Sequence, residues 1–154
     1  MKDLVGKKAP DFKLLNDEGK ETSLADFKGK MVLVYFYPKD MTSGCTTEAC
    51  NLRDKMNDLK ALNVVVLGVS KDSVESHKKF KEKEHLNFSL LSDPDMKMLE
   101  AYGVWKEKSM YGRTFLGISR ESFLIGKDGV VLKHYAKVKP ADHADEVIAD
   151  VKAL

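Results

Sequence analysis

The sequence predicts an α/β fold in which helices flank a central mixed β-sheet. Two runs, residues 30–37 and 64–70, are almost unbroken in apolar, β-prone side chains, the pattern of central strands covered on both faces. Between them, apolar residues return at Cys45, Ala49, Leu52, Met56, Leu59 and Leu62, and those gaps of three and four define one face of a helix over about residues 43–62. Strand, helix and strand at this spacing make a βαβ unit, so the two strands should be parallel.

The remaining elements follow in order. The first thirty residues predict a small N-terminal hairpin with Gly19 at its turn. Pro38 stops the strand over 30–37, because proline cannot donate to a ladder. Ser73 is placed to cap a lysine- and glutamate-rich surface helix reaching about Glu84. Residues 88–92 read as a short strand and 96–102 as a short helix stopped by Gly103. Residues 120–125 and 130–137 form a hairpin around Gly126-Lys127-Asp128-Gly129, and a final helix begins near Pro140. No repeat, low-complexity stretch or linker interrupts the chain, so residues 1–154 are expected to form one domain.

A chain of 154 residues buries about two-thirds of its unfolded surface and needs no disulfide staple. Its 26 basic and 24 acidic residues give a net charge of only +2, with lysines interleaved among acids, which argues against a nucleic acid partner. No stretch has the apolar length of a membrane span, and Lys2, Asp3, Lys7 and Lys8 leave no apolar signal core. The chain is therefore expected to work in the cytoplasm, where a close cysteine pair is more often catalytic or metal-binding than structural.

The only two cysteines, Cys45 and Cys50, lie five residues apart just beyond the first central strand. In an open α/β sheet the crevice lies past the carboxyl ends of the strands, which is where this order of elements puts Cys45. It falls in the first turn of its helix, where free N–H groups and the macrodipole favour the thiolate, the reactive form of cysteine. Thr42 is placed to cap that helix with its hydroxyl beside the same sulfur. The bland alternative makes Cys45 a small buried hydrophobe.

Five residues of helix mean about 7.5 Å of rise and about 140° of rotation, so the two Cα atoms lie roughly 8–9 Å apart. A disulfide rarely spans more than about 7 Å between Cα atoms. The two cysteines therefore cannot bond while the helix is intact, and Gly44 weakens its start by up to about 1 kcal/mol. The bland alternative makes Cys50 an inert thiol, but the spacing favours a thiol that traps what Cys45 becomes. Zinc needs four ligands where the cysteine pair supplies two, and His77, His85, His134 and His143 show no paired spacing, so no metal is expected.

Pro38-x-x-x-Thr42-x-x-Cys45 resembles the active-site signature of the peroxiredoxins, thiol peroxidases of thioredoxin-like fold. Tyr37-Pro38-Lys39-Asp40 before it and Gly44-Cys45-Thr46-x-Glu48-Ala49-Cys50 after it resemble the bacterioferritin-comigratory, or PrxQ, branch. Gly6-x-x-Ala9-Pro10-Asp11-Phe12, Gly103-Val104-Trp105 and the segment from Arg120 to Ile125 extend the likeness over nearly the whole chain. Ser43 stands where many relatives carry proline, which leaves the loop freer.

The resemblance implies a thioredoxin-like domain that reduces hydrogen peroxide and organic hydroperoxides without a cofactor. It makes Cys45 the peroxidatic thiol, oxidised to a sulfenic acid. Thr42 holds thiolate and peroxide, Arg120 stabilises the charge, and Pro38 shields the pocket. Cys50 resolves the sulfenic acid as an intramolecular disulfide, which thioredoxin or a similar dithiol donor then reduces. A monomer is expected. Trp105 reads as packing or pocket wall. Two rivals are a thioredoxin-type oxidoreductase, whose Cys-x-x-Cys is absent, and a binding module on the same scaffold, which has no need of the Pro-Thr-Cys-Arg set.

Overall fold

The computed structural model describes residues 3–154. Strands β1 (Lys13–Asn16) and β2 (Glu21–Ser23) form the expected N-terminal hairpin, with Gly19 at φ 75° in its turn. A short 3₁₀ turn (Leu24–Phe27) leads into β3 (Met31–Phe36), whose six residues are all buried. Then come α1 (Ser43–Asp54), α2 (Met56–Ala61), β4 (Val64–Ser70), α3 (Val74–Glu84), β5 (Ser89–Ser92) and α4 (Lys97–Ala101). The chain ends with β6 (Trp105–Met110), β7 (Arg113–Ile118), β8 (Glu121–Ile125), β9 (Val131–Tyr135) and α5 (His143–Lys152).

Seven strands make one mixed sheet in the order β2-β1-β5-β4-β3-β8-β9. β3 and β4 run parallel, with Val32 beside Val65 and Val34 beside Leu67, as a βαβ unit requires. β8 lies antiparallel to β3 on the other side, with Phe36 opposite Glu121. This is the thioredoxin-like arrangement, with a hairpin added at its N-terminal edge.

The pleat divides the core in two. Leu33, Tyr35 and Tyr37 face α1, α3 and α5 through Leu52, Phe80 and Val147, while Val32, Val34 and Phe36 face α4 through Met98, Leu99 and Tyr102. Each such side chain contributes about 1.5–3 kcal/mol by leaving water, which makes β3 a rigid base for whatever follows its carboxyl end.

The helix expected over 43–62 is two helices, because the chain turns at Lys55 (φ −100°, ψ 9°). Met56 and Leu59 stay buried on the same side as Leu52, so the apolar period runs across the break. Ser73 caps α3 as expected, accepting from Ser76 N at 3.1 Å. Gly103 (φ 71°) ends α4: its N–H donates to Glu100 O and that of Val104 to Leu99 O, both at 3.0 Å. The last helix starts at His143, three residues beyond Pro140. The β6–β7 hairpin is an element the sequence pattern does not predict. Among the described residues no helix is long and apolar enough to cross a membrane.

Candidate active site

The site is assembled where β3 ends. Pro38, half-buried, follows the strand; Met41 takes a left-handed conformation (φ 65°), and Thr42 turns the chain into α1. The first helical hydrogen bond of α1 runs from Thr46 N to Thr42 O at 2.9 Å. The N–H groups of Ser43, Gly44 and Cys45 precede it and lie at the positive end of the helix.

Cys45 is 1% exposed. Arg120 reaches it from the link between β7 and β8, beside the end of β3, and its Nη2 donates to Cys45 Sγ at 3.2 Å. The same guanidinium donates through Nη1 to Glu48 Oε1 at 2.7 Å. Cys45 and Glu48 are three residues apart on α1 and share a face, so one arginine fork spans both. Burial alone would lower the Arg120 pKa, but Cys45 and Glu48 outweigh it and hold the group above its ordinary value.

Gly44 makes the approach possible. A Cβ there would lie 3.1 Å from Arg120 Nη2, closer than ordinary contact. The glycine that weakens the helix start also leaves room for the arginine.

Glu48 belongs to the motif around Cys45, but nothing in the sequence gives it a role there. Its side chain is wholly buried, and its second oxygen, Oε2, has no hydrogen-bond partner among the described residues. Burial raises its pKa to about 7, against the opposing pull of Arg120. An acid spaced to lie on the buried face of a helix was the available signal. The Tyr35 hydroxyl is also buried without a partner, and burial, then Glu48, then Cys45 hold it firmly in its neutral form.

Thr42 corrects an expectation. It stands at the N-cap position, but its hydroxyl makes no cap bond and donates instead to Lys39 O at 2.9 Å. The helix start is held by the backbone, and the hydroxyl is turned into the preceding loop.

Cys50 lies on the same unbroken helix as Cys45, and both are free thiols. Cys50 is half-buried and its Sγ donates to Glu84 Oε1 of α3 at 3.6 Å. Burial pushes its pKa up, Arg53 opposes this, and Glu84 adds to the rise. Nearby, Arg53 Nη1 donates to Glu84 O at 2.5 Å, and Asn51 Oδ1 accepts from Ala144 N of α5 at 2.9 Å. The second half of α1 is thus tied to two helices.

Of the five residues singled out by sequence, the fold brings Cys45 and Arg120 into contact, leaves Pro38 and Thr42 in the entering loop, and sets Cys50 against α3. Asp40, Asp72 and His77 also place three ligand-type atoms within 4.8 Å of one another. Both Asp40 oxygens already accept hydrogen bonds, so the group is a polar network rather than an open ligand set. A groove of about 340 Å³ lined by Lys30, Val64 and Phe88 lies at the opposite, amino end of the strands. The polar fork is the better candidate: a buried sulfur under a guanidinium is the arrangement that nucleophilic attack with charge stabilisation at the reacting atoms requires.

Known proteins resemble this chain over nearly its whole length. A family model described as the AhpC/TSA family matches residues 5–134. Peroxiredoxin Bcp of Bacillus subtilis is 49% identical over 150 residues, covering 97% of this chain and 96% of its own. Peroxiredoxin Bcp of Escherichia coli is 50% identical over 144 residues, covering 94% and 92%. Among solved structures, Xylella fastidiosa PrxQ superposes with a TM-score of 0.91 at 35% identity, covering 97% of this chain and 95% of that one. The Xanthomonas campestris bacterioferritin comigratory protein, studied for alkyl peroxide reduction, gives 0.87 at 42% identity, covering 92% and 90%.

Proposed function

This chain belongs to the AhpC/TSA family, on its Bcp/PrxQ peroxiredoxin branch, and we propose on that footing that Cys45 is the thiol its peroxidase activity uses. The protein is a thiol-dependent peroxidase. The observation that carries the assignment is the 3.2 Å contact between Arg120 Nη2 and Cys45 Sγ at a helix start.

The Cys45 thiolate attacks the distal oxygen of a hydroperoxide. An S–O bond forms, the O–O bond breaks, and the departing oxygen leaves as water or an alcohol once it takes a proton. Arg120, with a second donor held by Glu48, stabilises the negative charge as it moves from sulfur to the leaving oxygen. Thr42 contributes its hydroxyl after rotating away from Lys39 O, and Pro38 walls the pocket. Cys50 then attacks the sulfenic sulfur: an S–S bond forms, the S–O bond breaks, and the Cys50 proton leaves with the hydroxide as water. A reductant dithiol of thioredoxin type closes the cycle. The unbroken helix between the two cysteines makes unwinding of its first turns part of that step.

On the same footing the whole chain acts as one domain, as a monomer, in the cytoplasm. Resolution within one chain needs no second copy, and the cycle needs a compartment that returns thiols to the reduced state. Both hydrogen peroxide and organic hydroperoxides fit an attack that touches only the O–O bond.

Stopped-flow mixing with hydrogen peroxide tests the assignment. The parent should form sulfenate rapidly and Cys45→Ser should form none; parental oxidation at the rate of a free thiol would overturn it. Cys50→Ser should consume one equivalent of peroxide and stop, and unchanged thioredoxin-driven turnover would remove Cys50 from its role.

A further inference from the structure

The segment that carries Thr42 into α1 is held from below by a buried polar network that the peroxide chemistry itself does not use. Asp40 is its centre. Asp40 Oδ1 accepts from the Tyr37 hydroxyl at 2.5 Å, and Oδ2 accepts from Ser76 Oγ at 2.8 Å. His77 Nδ1 lies 2.8 Å from that same Oδ2 and 3.3 Å from the Tyr37 oxygen. The Asp40 N–H donates to Asp72 Oδ2 at 2.9 Å, which also accepts from Ser70 Oγ at 2.7 Å. Ser92 Oγ donates to Asp72 O at 2.6 Å. One turn is thereby tied to α3 and to the ends of β4 and β5.

The protons in this network can be counted. His77 Nε2 lies 2.8 Å from Leu91 O, a carbonyl that only accepts, so Nε2 carries hydrogen. The 2.8 Å contact between Nδ1 and a carboxylate oxygen needs a proton as well. Both side chains are enclosed, at 1% and 0% exposure. Asp40 faces Ser76 and His77 in the first turn of α3, where the helix favours an anion. A hydrogen-bonded pair shut away from water resists separation, because either partner alone would be left unpaired and desolvated.

Immediately after Asp40 the backbone is strained. Met41, a non-glycine residue, sits at φ 65°, and its side chain is 42% exposed, so packing does not explain its conformation. Asp40 clamps one side of Met41, and the Thr42 N-cap lies on the other.

We propose that Asp40 and His77 are positioning residues for the peroxide step: their buried pair holds the 38–42 segment in the shape that starts α1 under Arg120, against the left-handed strain at Met41. Severing the pair lets the segment relax and moves the helix start away from Arg120, while removing the strain holds the segment closed. The proposal rests on Cys45 being the peroxide-reactive thiol.

Three variants test it. His77→Gln keeps a donor near the Nε2 position toward Leu91 and drops the one toward Asp40; His77→Asn does the reverse. Hydrogen exchange on the reduced proteins should show protection of the hydrogen-bonded amides of Asp40, Thr46 and Thr47 lost in His77→Gln and largely kept in His77→Asn. Sulfenate formation should slow by about 10-fold or more in His77→Gln, the scale of a displaced reacting group, and recover in His77→Asn. Met41→Gly, at an exposed turn that tolerates it, should raise protection of the segment and slow disulfide formation after peroxide. Equal loss of protection in the two histidine variants, or parental protection and disulfide rate in Met41→Gly, would overturn the proposal. Exchange on the reduced protein uses no peroxide, so a parent that failed to form sulfenate would sink the Cys45 assignment while the clamp was still decided.

Discussion

Arg120 Nη2 stands 3.2 Å from Cys45 Sγ although the two residues are 75 positions apart in the chain. β8 creates this proximity by running antiparallel to β3, which brings the start of one strand to the end of the other. Arg120→Met should therefore slow sulfenate formation by about 10²–10³-fold, the usual effect of losing one preorganised charge-stabilising donor. Arg120→Lys should recover only part, because a point charge cannot span Cys45 and Glu48 together. A parental stopped-flow rate in Arg120→Met would exclude the contact from the chemistry.

Glu48 predicts a pH dependence of stability. Burial raises its folded pKa from the ordinary 4.5 to about 7, so the folded state favours the protonated acid. Its contribution is fully present below about pH 4.5 and is lost as pH rises through about 7, on the order of 3 kcal/mol. Glu48→Gln retains an acceptor for Arg120 and cannot ionise. Urea unfolding of parent and variant should therefore diverge between these pH values, with the variant gaining relative stability toward neutral pH; parallel curves would contradict the assignment.

Gly44→Ala should separate stability from activity. Alanine strengthens a helix by up to about 1 kcal/mol over glycine. The added methyl would lie 3.1 Å from Arg120 Nη2 and shift the guanidinium by a few tenths of an ångström, lengthening its contact with the sulfur. The expected variant unfolds at an equal or higher temperature and forms sulfenate more slowly. A lower melting temperature with parental peroxide reactivity would reverse the argument.

Glu84 restrains the second thiol. Burial and then the Glu84 carboxylate raise the Cys50 pKa, with Arg53 opposing. In a Cys45→Ser background, Glu84→Gln should increase iodoacetamide labelling of Cys50 near pH 8 by a few-fold, since only the thiolate is alkylated. Unchanged labelling would show that Glu84 does not act on this sulfur.

Much of this architecture is legible in the sequence because it rests on periodicity and local chemistry. The apolar runs of β3 and β4, the Ser73 cap and the Gly103 stop each have a local cause, and each forms as expected. The turn at Lys55 is invisible because Leu52, Met56 and Leu59 keep their spacing across it. The β6–β7 hairpin escapes notice because much of β7 is exposed, leaving little buried alternation, and its turn uses Tyr111 and Gly112 at positive φ. At the site, the family signature points to Cys45 and Arg120, which do meet. The Thr42 hydroxyl's bond to Lys39 is local and competes with capping, so the sequence offers both, while the joining of Asp40 to His77 depends on how distant elements pack. Glu48 lies between these cases: its spacing from Cys45 is plain, but its charge argues for a surface position until Arg120 is placed beside it.

The central claim is that Cys45 and Cys50 form a switch, an intact helix when reduced and a locally unwound disulfide when oxidised. The second half of α1 is tied down by Ala144 on Asn51 and by Arg53 on Glu84, so the unwinding should fall on residues 44–51 and stop there. Hydrogen exchange across α1, read by mass spectrometry on the dithiol form and on the form with an established Cys45–Cys50 disulfide, tests this most directly. The account predicts protection of the Thr46 to Asn51 amides in the dithiol form and its loss in the disulfide form, with the amides from Leu59 onward, whose acceptors lie beyond the unwound turns, protected in both. Equal protection of Thr46 to Asn51 in the two forms would contradict it.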